Sequence, residues 1–537
     1  MSGSDPRNWL RGARRALARL PDIGMTLGMT RVPDAPALPV RDPWPGDPVR
    51  GARLLKGELE YGGAVCLLRP GGWNDLAASP MLRTVAHGFT WLRDLRALGT
   101  DNARLRARAL VAEWIASPPG EALVYRPDVI GARLAAWLGH YDFFAASADD
   151  LFRQKLMSRL VGDARMLASK VPAEEQDARA LTALKGLIAA AVALPDNAAF
   201  LTRALRFLPQ EIARQVLPDG CHVERSPAAQ LAALQDLTEI RALLHAAQTP
   251  APAALTGAIE RMAPALKMMR HGDGGLALFN GAREELPALI DLALTQAGRG
   301  GRGPSVLAEG GFQRMQAGRS VLIIDCGAPP PPGMDRLAHA GTLSLEMSVG
   351  RDRLIVNCGA YATGPQEWRD ASRATAAHST LIIADVNSSE IKRDGLGRRP
   401  EKVDVQRQEA NGAHWLEAAH DGWKKPFGAI HRRRLYLAES GEDLRGEDVI
   451  EAASPQPFTL RFHLHPAVSA SLQQDGQTVL LRLPTGGGWR LKADGARLAL
   501  EESIYFGGAE PRRSEQVVLS GHPDGPQQVK WAITKVA

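Results

Sequence analysis

Cysteine is scarce in this chain and its four copies are scattered. Cys66, Cys221, Cys326 and Cys358 form no Cys-x-x-Cys pair, which excludes zinc-finger spacing and a small-domain disulfide framework; in a chain of 537 residues they read as buried thiols. No run of about eighteen apolar residues occurs, so no transmembrane helix is expected. The start of the sequence lacks the continuous apolar core and small-residue cleavage site of a secretory signal. Finger spacings, RNP-like sequences and interleaved aromatic and basic residues are absent too, which argues against nucleic acid as a partner. The cluster Gly272-Asp273-Gly274-Gly275 has no Lys-Ser/Thr partner and is not a phosphate loop.

What is present is ordinary globular material, with 45% hydrophobic and 23% charged residues and a length that accommodates about two to four domains. The formal net charge of +6 suits an anionic partner, although an arginine-preferring genome gives the same excess.

The opening MSGSDPRNWLRGARRALARLPDIG sets Trp9, Leu10, Ala13, Ala16, Leu17 and Leu20 at helical spacing with arginines between them. This predicts a short basic amphipathic helix, suited to an anionic surface or to docking on its own protein. A proline-rich connector, 32–49, should be extended. From about Leu82 to Ala297, segments such as NARLRARALVAEWIAS, DDLFRQKLMSRLVGDARML and ALTALKGLIAAAVAL repeat apolar residues every three or four positions, which predicts helices. No fixed repeat length emerges, so a regular solenoid is not expected. The Gly/Arg-rich GRGGRGPSVLAEGG, 298–311, marks a boundary. After it, short runs such as SVLIIDCG, FTLRFHLHP, TVLLRLPTG and VKWAIT between Gly, Pro and Asp turns predict a large antiparallel β-sandwich. The expected organisation is α+β and multidomain: a helix and connector over 1–50, a helical domain over 51–300 and the sandwich over 301–537.

Chemistry concentrates between Asp335 and Asp385. LSLEMSVG and RLIVNCG read as neighbouring strands joined by the tight turn Gly350-Arg351-Asp352, and STLIIAD as a third. His339, Asn357 and His378 then fall at the ends of adjacent strands, where two imidazoles and an amide oxygen form a minimal set for zinc or another divalent metal. The alternative is a hydrogen-bonded network joining three strands. Cys358 should point to the opposite face from Asn357.

His-Ala-x-x-Leu-Ser-Leu-Glu from His339, Leu-Ile-Val-Asn-Cys-Gly from Leu354 and Trp-Arg-Asp-x-x-Arg-Ala-Thr-x-x-His-Ser-Thr from Trp368 resemble the C-terminal region of the heparinase II/III polysaccharide lyases, whose usual pattern is HAHxDxLSFE, VDPG and RSTxAHNT. The resemblance implies an α/α toroid ahead of the sandwich and β-elimination on acidic, uronate-containing polysaccharide. It also implies a divalent metal without an organic cofactor, and a cell-envelope or periplasmic setting; the missing secretory signal keeps the cytoplasm as the alternative. It places His339 and His378 at the metal-binding histidines, Asn357 at the metal-binding aspartate, Leu337 at the proton-transferring histidine and Gly341 at a further aspartate. Glu346 and Arg373 match the motif and should organise the region.

The loop LPDGCHVERSPAAQLAALQDL, 217–237, resembles the DGGxxEQSxxYH loop of the same family, with Ala229 and Gln230 where tyrosine and histidine stand. That leaves His222, Glu224 and Arg225 as candidate catalytic groups, or as local hydrogen-bonders holding a turn. Arg373, Trp368 and Asp273 are the expected substrate contacts. Elimination next to a carboxylate needs a base, an acid and a neutralising group. A lyase is therefore the first reading, and a catalytically reduced glycan-binding or envelope protein the second. A glycoside hydrolase would need two opposed carboxylates, for which Asp219, Glu224 and Asp273 are candidates. His463 and His465 share a strand face and read as a polar surface unless a third metal ligand joins them. His431 and the arginines that follow read as a solvated strand face.

Overall fold

The computed structural model describes residues 32–74, 76–172, 177–195, 198–298 and 301–536; the amphipathic helix expected at the start of the chain lies outside them. The chain divides into two compact units. One runs to Glu211 and includes Asp236–Thr256, and the other takes Ile212–Gln235 and Gly257–Ala537. The second unit thus reaches back across the boundary expected at 298–311, for a reason that lies in its strands.

The first unit is mainly helical, with a hairpin of Glu58–Tyr61 and Ala64–Leu67 that no alternation in the sequence announces. Its helices include Asp101–Ala116, Pro127–Gly139, Asp150–Lys170 and Arg179–Ala193. Thr100 and Asp149 begin two of them by accepting from the Ala103 and Phe152 amides, donors that the first turn leaves without intrahelical partners. Pro127–Gly139 and Arg179–Ala193 meet glycine on glycine. A Cβ on Gly186 would fall 2.2 Å from the Gly131 Cα, and one on Gly131 would fall 2.6 Å from the Thr182 carbonyl oxygen, so neither position admits a side chain. Nearby, buried Arg133 lies 4.4 Å over the Trp114 ring and pairs with Asp163 at 2.8 Å.

The second unit holds two large antiparallel sheets and a small hairpin of Ile391–Lys392 and Gly395–Leu396. The eight-stranded sheet runs, in spatial order, Val403–Ala410, Ala413–Trp423, Ala429–Leu437, Asp443–Glu451, Gln528–Lys535, Gly488–Asp494, Thr478–Arg482 and Ser469–Leu472. The nine-stranded sheet runs Arg497–Tyr505, Arg512–Gly521, Phe458–Leu464, Asp352–Val356, Leu345–Val349, Ser320–Asp325, Phe312–Ala317 and Val306–Leu307, with Leu381–Ile383 paired to Phe458–Leu464. One apolar core joins side chains of both sheets, among them Leu322, Ile324, Leu345, Leu435, Phe462 and Trp531. Ser320–Asp325 is buried at every position. Leu322 and Ile324 face the sandwich core, while Val321 and Ile323 pack on Met268, Met269 and Phe279. A strand covered on both faces reads as an unbroken apolar run. The covering layer comes from the sequence before 298, which is why that segment belongs to the second unit.

Candidate functional site

Two of the expected site residues, Asn357 and His378, flank a break in the nine-stranded sheet. Along one edge of Phe458–Leu464, Asp352–Val356 pairs with His463 and Leu464, and Leu381–Ile383 pairs with Phe458, Thr459 and Leu460. The two short strands therefore lie end to end, not side by side as their lengths and order suggest. Asn357 and Ser379 meet across the break. Asn357 Oδ1 accepts the Ser379 N–H at 3.0 Å, and the Ser379 hydroxyl donates to the Val356 carbonyl at 2.7 Å.

His339 lies on a loop, not on a strand. Its N–H donates to Asn280 Oδ1 at 3.0 Å, and Asn280 Nδ2 donates to the Arg225 carbonyl at 2.9 Å. One amide thereby ties the loop of His222, Glu224 and Arg225 to the loop of His339. His378 Nδ1–H donates to the Ala374 carbonyl at 2.7 Å, which leaves its Nε2 bare to accept the His339 Nδ1–H at 2.9 Å. Burial brings the His378 pKa down to about 4. Burial, reinforced by His378 and Arg373, holds His339 well below the ordinary imidazole range. Both rings are therefore neutral near pH 7, and His339 Nε2 has no hydrogen-bond partner among the described residues.

Two imidazole nitrogens 2.9 Å apart, one oriented by a carbonyl, could share a cation. The third ligand is missing. Asn357 Oδ1 is taken by Ser379, and its buried Nδ2, which has no hydrogen-bond partner among the described residues, is a donor and repels a cation. Gly341 brings no carboxylate and has no room for one, since a Cβ there would sit 2.7 Å from His378 Cδ2. Among the described residues, no group of three or more His, Cys, Asp or Glu gathers in a metal-holding arrangement. The residues present thus fall short of a zinc site.

Glu346 organises the centre. Its Oε1 accepts the Asn357 N–H at 2.8 Å, and its Oε2 accepts His271 Nε2–H at 2.9 Å and the Leu278 N–H at 3.1 Å. Burial lowers the His271 pKa against the opposing pull of Glu346.

Of the candidate catalytic groups of the 217–230 loop, His222 and Arg225 are turned inward and Glu224 is half-buried. His222 is fully buried, with Nε2 3.0 Å from Gln215 Oε1 and Nδ1 accepting the Glu224 N–H at 3.2 Å. Arg225, at a left-handed φ of 50°, donates to the carbonyls of Gly310, Gly327 and Ala328 and pairs with Asp325. Gln230, at the family's histidine position, bonds the His222 amide and the Gly220 and Met262 carbonyls.

The three expected substrate contacts have separate partners. Arg373 is wrapped around the carbonyls of Ala338, Lys392 and Gly395. Asp273 pairs with Arg353 at 2.7 Å. Trp368 is 44% exposed, edge-on to Phe506, whose other neighbour is the stacked ring of Tyr361.

Two surface readings need correction. His463 is buried, bonded to Ser503 and to the Ala376 carbonyl, while His465 reaches Glu284 at 3.4 Å beside Tyr505. His431 and Arg433 turn into the sandwich and share Asp448, each at 2.7 Å; only Arg432 and Arg434 face solvent. Sequence reasoning did not name Asn280 and His271 as connectors, although each stands before a glycine, Gly281 and Gly272.

The comparisons agree with this picture. The family described as Heparinase II/III-like, C-terminal matches residues 299–532, and Heparinase II/III N-terminus matches 109–296. FtsZ-localized protein C of Caulobacter vibrioides is 32% identical over 520 residues, covering 92% of this chain and 89% of that one. Among solved structures, a heparinase III superposes with a TM-score of 0.70 at 15% identity over 86% of this chain and 78% of its own. A mutant of heparan sulfate lyase HepC from Pedobacter heparinus gives 0.61 at 15% over 98% and 88%. The last two show the fold: a helical toroid followed by an antiparallel β-sandwich. The chain belongs to the heparinase II/III-like family.

Proposed function

We propose that this chain keeps the architecture of the polysaccharide lyases without their elimination chemistry, and recognises acidic glycan at the cell envelope. The loop over 217–230 carries the reading. Ala229 and Gln230 stand where the family pattern has tyrosine and histidine, so the acid–base phenol is absent, and His222 and Arg225 are buried in bonds that hold the turn. The same reading takes the site as metal-free, so metal-supplemented purification should yield less than stoichiometric zinc.

The test is incubation with uronate-containing polysaccharides, following the ultraviolet absorbance of an unsaturated product together with reducing ends. Neither signal, alongside retardation in glycan-containing gels, is expected. An unsaturated product overturns the proposal, and reducing ends without that chromophore would mean hydrolysis. A second reading, elimination with His339 as base, is favoured by its bare Nε2; it requires a product that disappears in His339→Ala. The Caulobacter relative is named for localisation with FtsZ, and similarity across 92% of this chain supports a role in the same setting. Co-pelleting with FtsZ filaments is the direct check.

A further inference from the structure

The outer face of the eight-stranded sheet carries one row unlike the rest. Gln408, Trp415, Tyr436 and Arg445 stand opposite one another on four successive strands. The neighbouring row and its flanks are a closed set of ion pairs: Glu417 takes both Arg432 and Arg434, Arg434 also reaches Glu447 at 2.8 Å, and Arg432 reaches Glu451 at 2.6 Å. Arg445 is itself paired with Asp443 at 2.7 Å. The aromatic members differ. Trp415 is 40% exposed, its ring centroid 5.1 Å from that of Tyr436 at an interplanar angle of 46°. The indole N–H, the phenol hydroxyl and the Gln408 amide have no hydrogen-bond partner among the described residues. A cross-strand aromatic pair stabilises strand pairing whatever else it does. Strand pairing alone, however, does not call for two ring faces and three free polar tips on a face where the surrounding charges are matched.

We propose that this row is a binding platform for an uncharged pyranose chain, a second glycan surface separate from the break in the nine-stranded sheet. The C–H face of a pyranose is electropositive and settles on the negative face of an indole or phenol ring, while its hydroxyls meet the free indole N–H, phenol and amide groups. Charge selects the class of sugar. Every cation bordering the rings is already paired with a carboxylate, so nothing there would favour sulfate or uronate over a neutral sugar. The platform therefore differs in ligand from the acidic-glycan reading and can stand or fall without it.

The experiment is isothermal titration of the full chain with β-1,4-linked hexamers of glucose and of N-acetylglucosamine. At least one hexamer should bind, with an affinity nearly unchanged between low and high salt, because no charge is being matched. Trp415→Ala and Tyr436→Ala should each weaken binding about tenfold, and Trp415→Phe, which keeps a ring face, should retain most of it. Circular dichroism and melting curves identical to wild type would show that the variants fold. Three results overturn the proposal: neither hexamer binding at millimolar concentration, unchanged binding in both alanine variants, or self-association in sedimentation that Trp415→Ala abolishes. Loss of the platform with acidic-glycan retardation intact would refute this inference alone, while hexamer binding without that retardation would refute only the earlier reading.

Discussion

Within the strand Ala429–Leu437, His431 and Arg433 point one way and Arg432 and Arg434 the other, and the two pairs live in different physics. Inside the sandwich, Arg433 is fully buried. It bonds Asp448 at 2.7 Å and crosses to the carbonyls of Leu343 at 2.7 Å and Ser379 at 3.1 Å, in the loops that lead into Leu345–Val349 and Leu381–Ile383 of the other sheet. Asp448 also holds His431 and the Trp531 indole. Outside, Arg432 and Arg434 join a ladder of carboxylates in water. The same residue type is a bolt between sheets in one parity and a solvated ornament in the other. A polar group's role is set by what it would leave unpaired if removed, not by its chemistry alone.

The largest break in this comparison should come from Arg433→Ala. Removing it leaves a buried carboxylate short of its cation, takes the guanidinium donor from the Leu343 carbonyl and leaves the Ser379 carbonyl with the Leu345 N–H at 3.3 Å, which should cost about 3–5 kcal/mol in denaturant unfolding. Loss of under 1 kcal/mol would mean that the inner network contributes no more than the outer ladder. Next comes Glu346→Gln. The carboxylate accepts three N–H groups, and an amide turns one of its oxygens into a donor facing other donors, so about 2–3 kcal/mol should be lost. Its expected signature is increased hydrogen exchange at Leu278 and Asn357 together, since one side chain holds both amides.

Acid should separate the regions more gently. His378 titrates near 4 in the folded protein because burial disfavours its charged form, against about 6.5 when unfolded. Its contribution to stability is therefore whole above about pH 6.5 and is lost as pH falls from there toward 4, because the unfolded chain takes up the proton first. His378→Gln should flatten the fall in stability across that window by roughly 1.4 kcal/mol per pH unit at most. An unchanged slope would show that the ring is not held neutral.

The helices and the sandwich were legible because periodicity survives whatever packs against it. The division between the units was not. SVLIID announces a strand covered on both faces, yet nothing in it names Met268, Met269 and Phe279 as the cover. At the site, His339 and His378 meet, although His339 stands on a loop and not at the strand end expected of it. The collinear strands depended on Phe458–Leu464, far along the chain, and Asn280 carries no mark that distinguishes it from the turn residue Asn-Gly so often is. HRRR looked solvated because a run of charges usually is, and parity along the strand buries only alternate members. The loop at 217–230 showed its missing tyrosine plainly, whereas the inward turn of Arg225 depended on Asp325 and three carbonyls far along the chain.

The smallest effect, and the sharpest control, is Arg434→Ala. Its guanidinium bridges Glu417 and Glu447 at 2.7 and 2.8 Å, distances as short as those of Arg433. Geometry alone would therefore rank the two equally. The Arg434 side chain is about half exposed, though, so water replaces the lost bonds, and Glu417 keeps Arg432 at 2.6 Å. The expected loss is about 0.5 kcal/mol and no more than about 1, shrinking further in high salt because exposed charges are screened. Arg433→Ala should show almost no salt dependence, its partners lying beyond the reach of mobile ions. If both variants lose similar stability with similar salt slopes, distance would govern and burial would not, and the contrast between the two faces of the strand would be wrong.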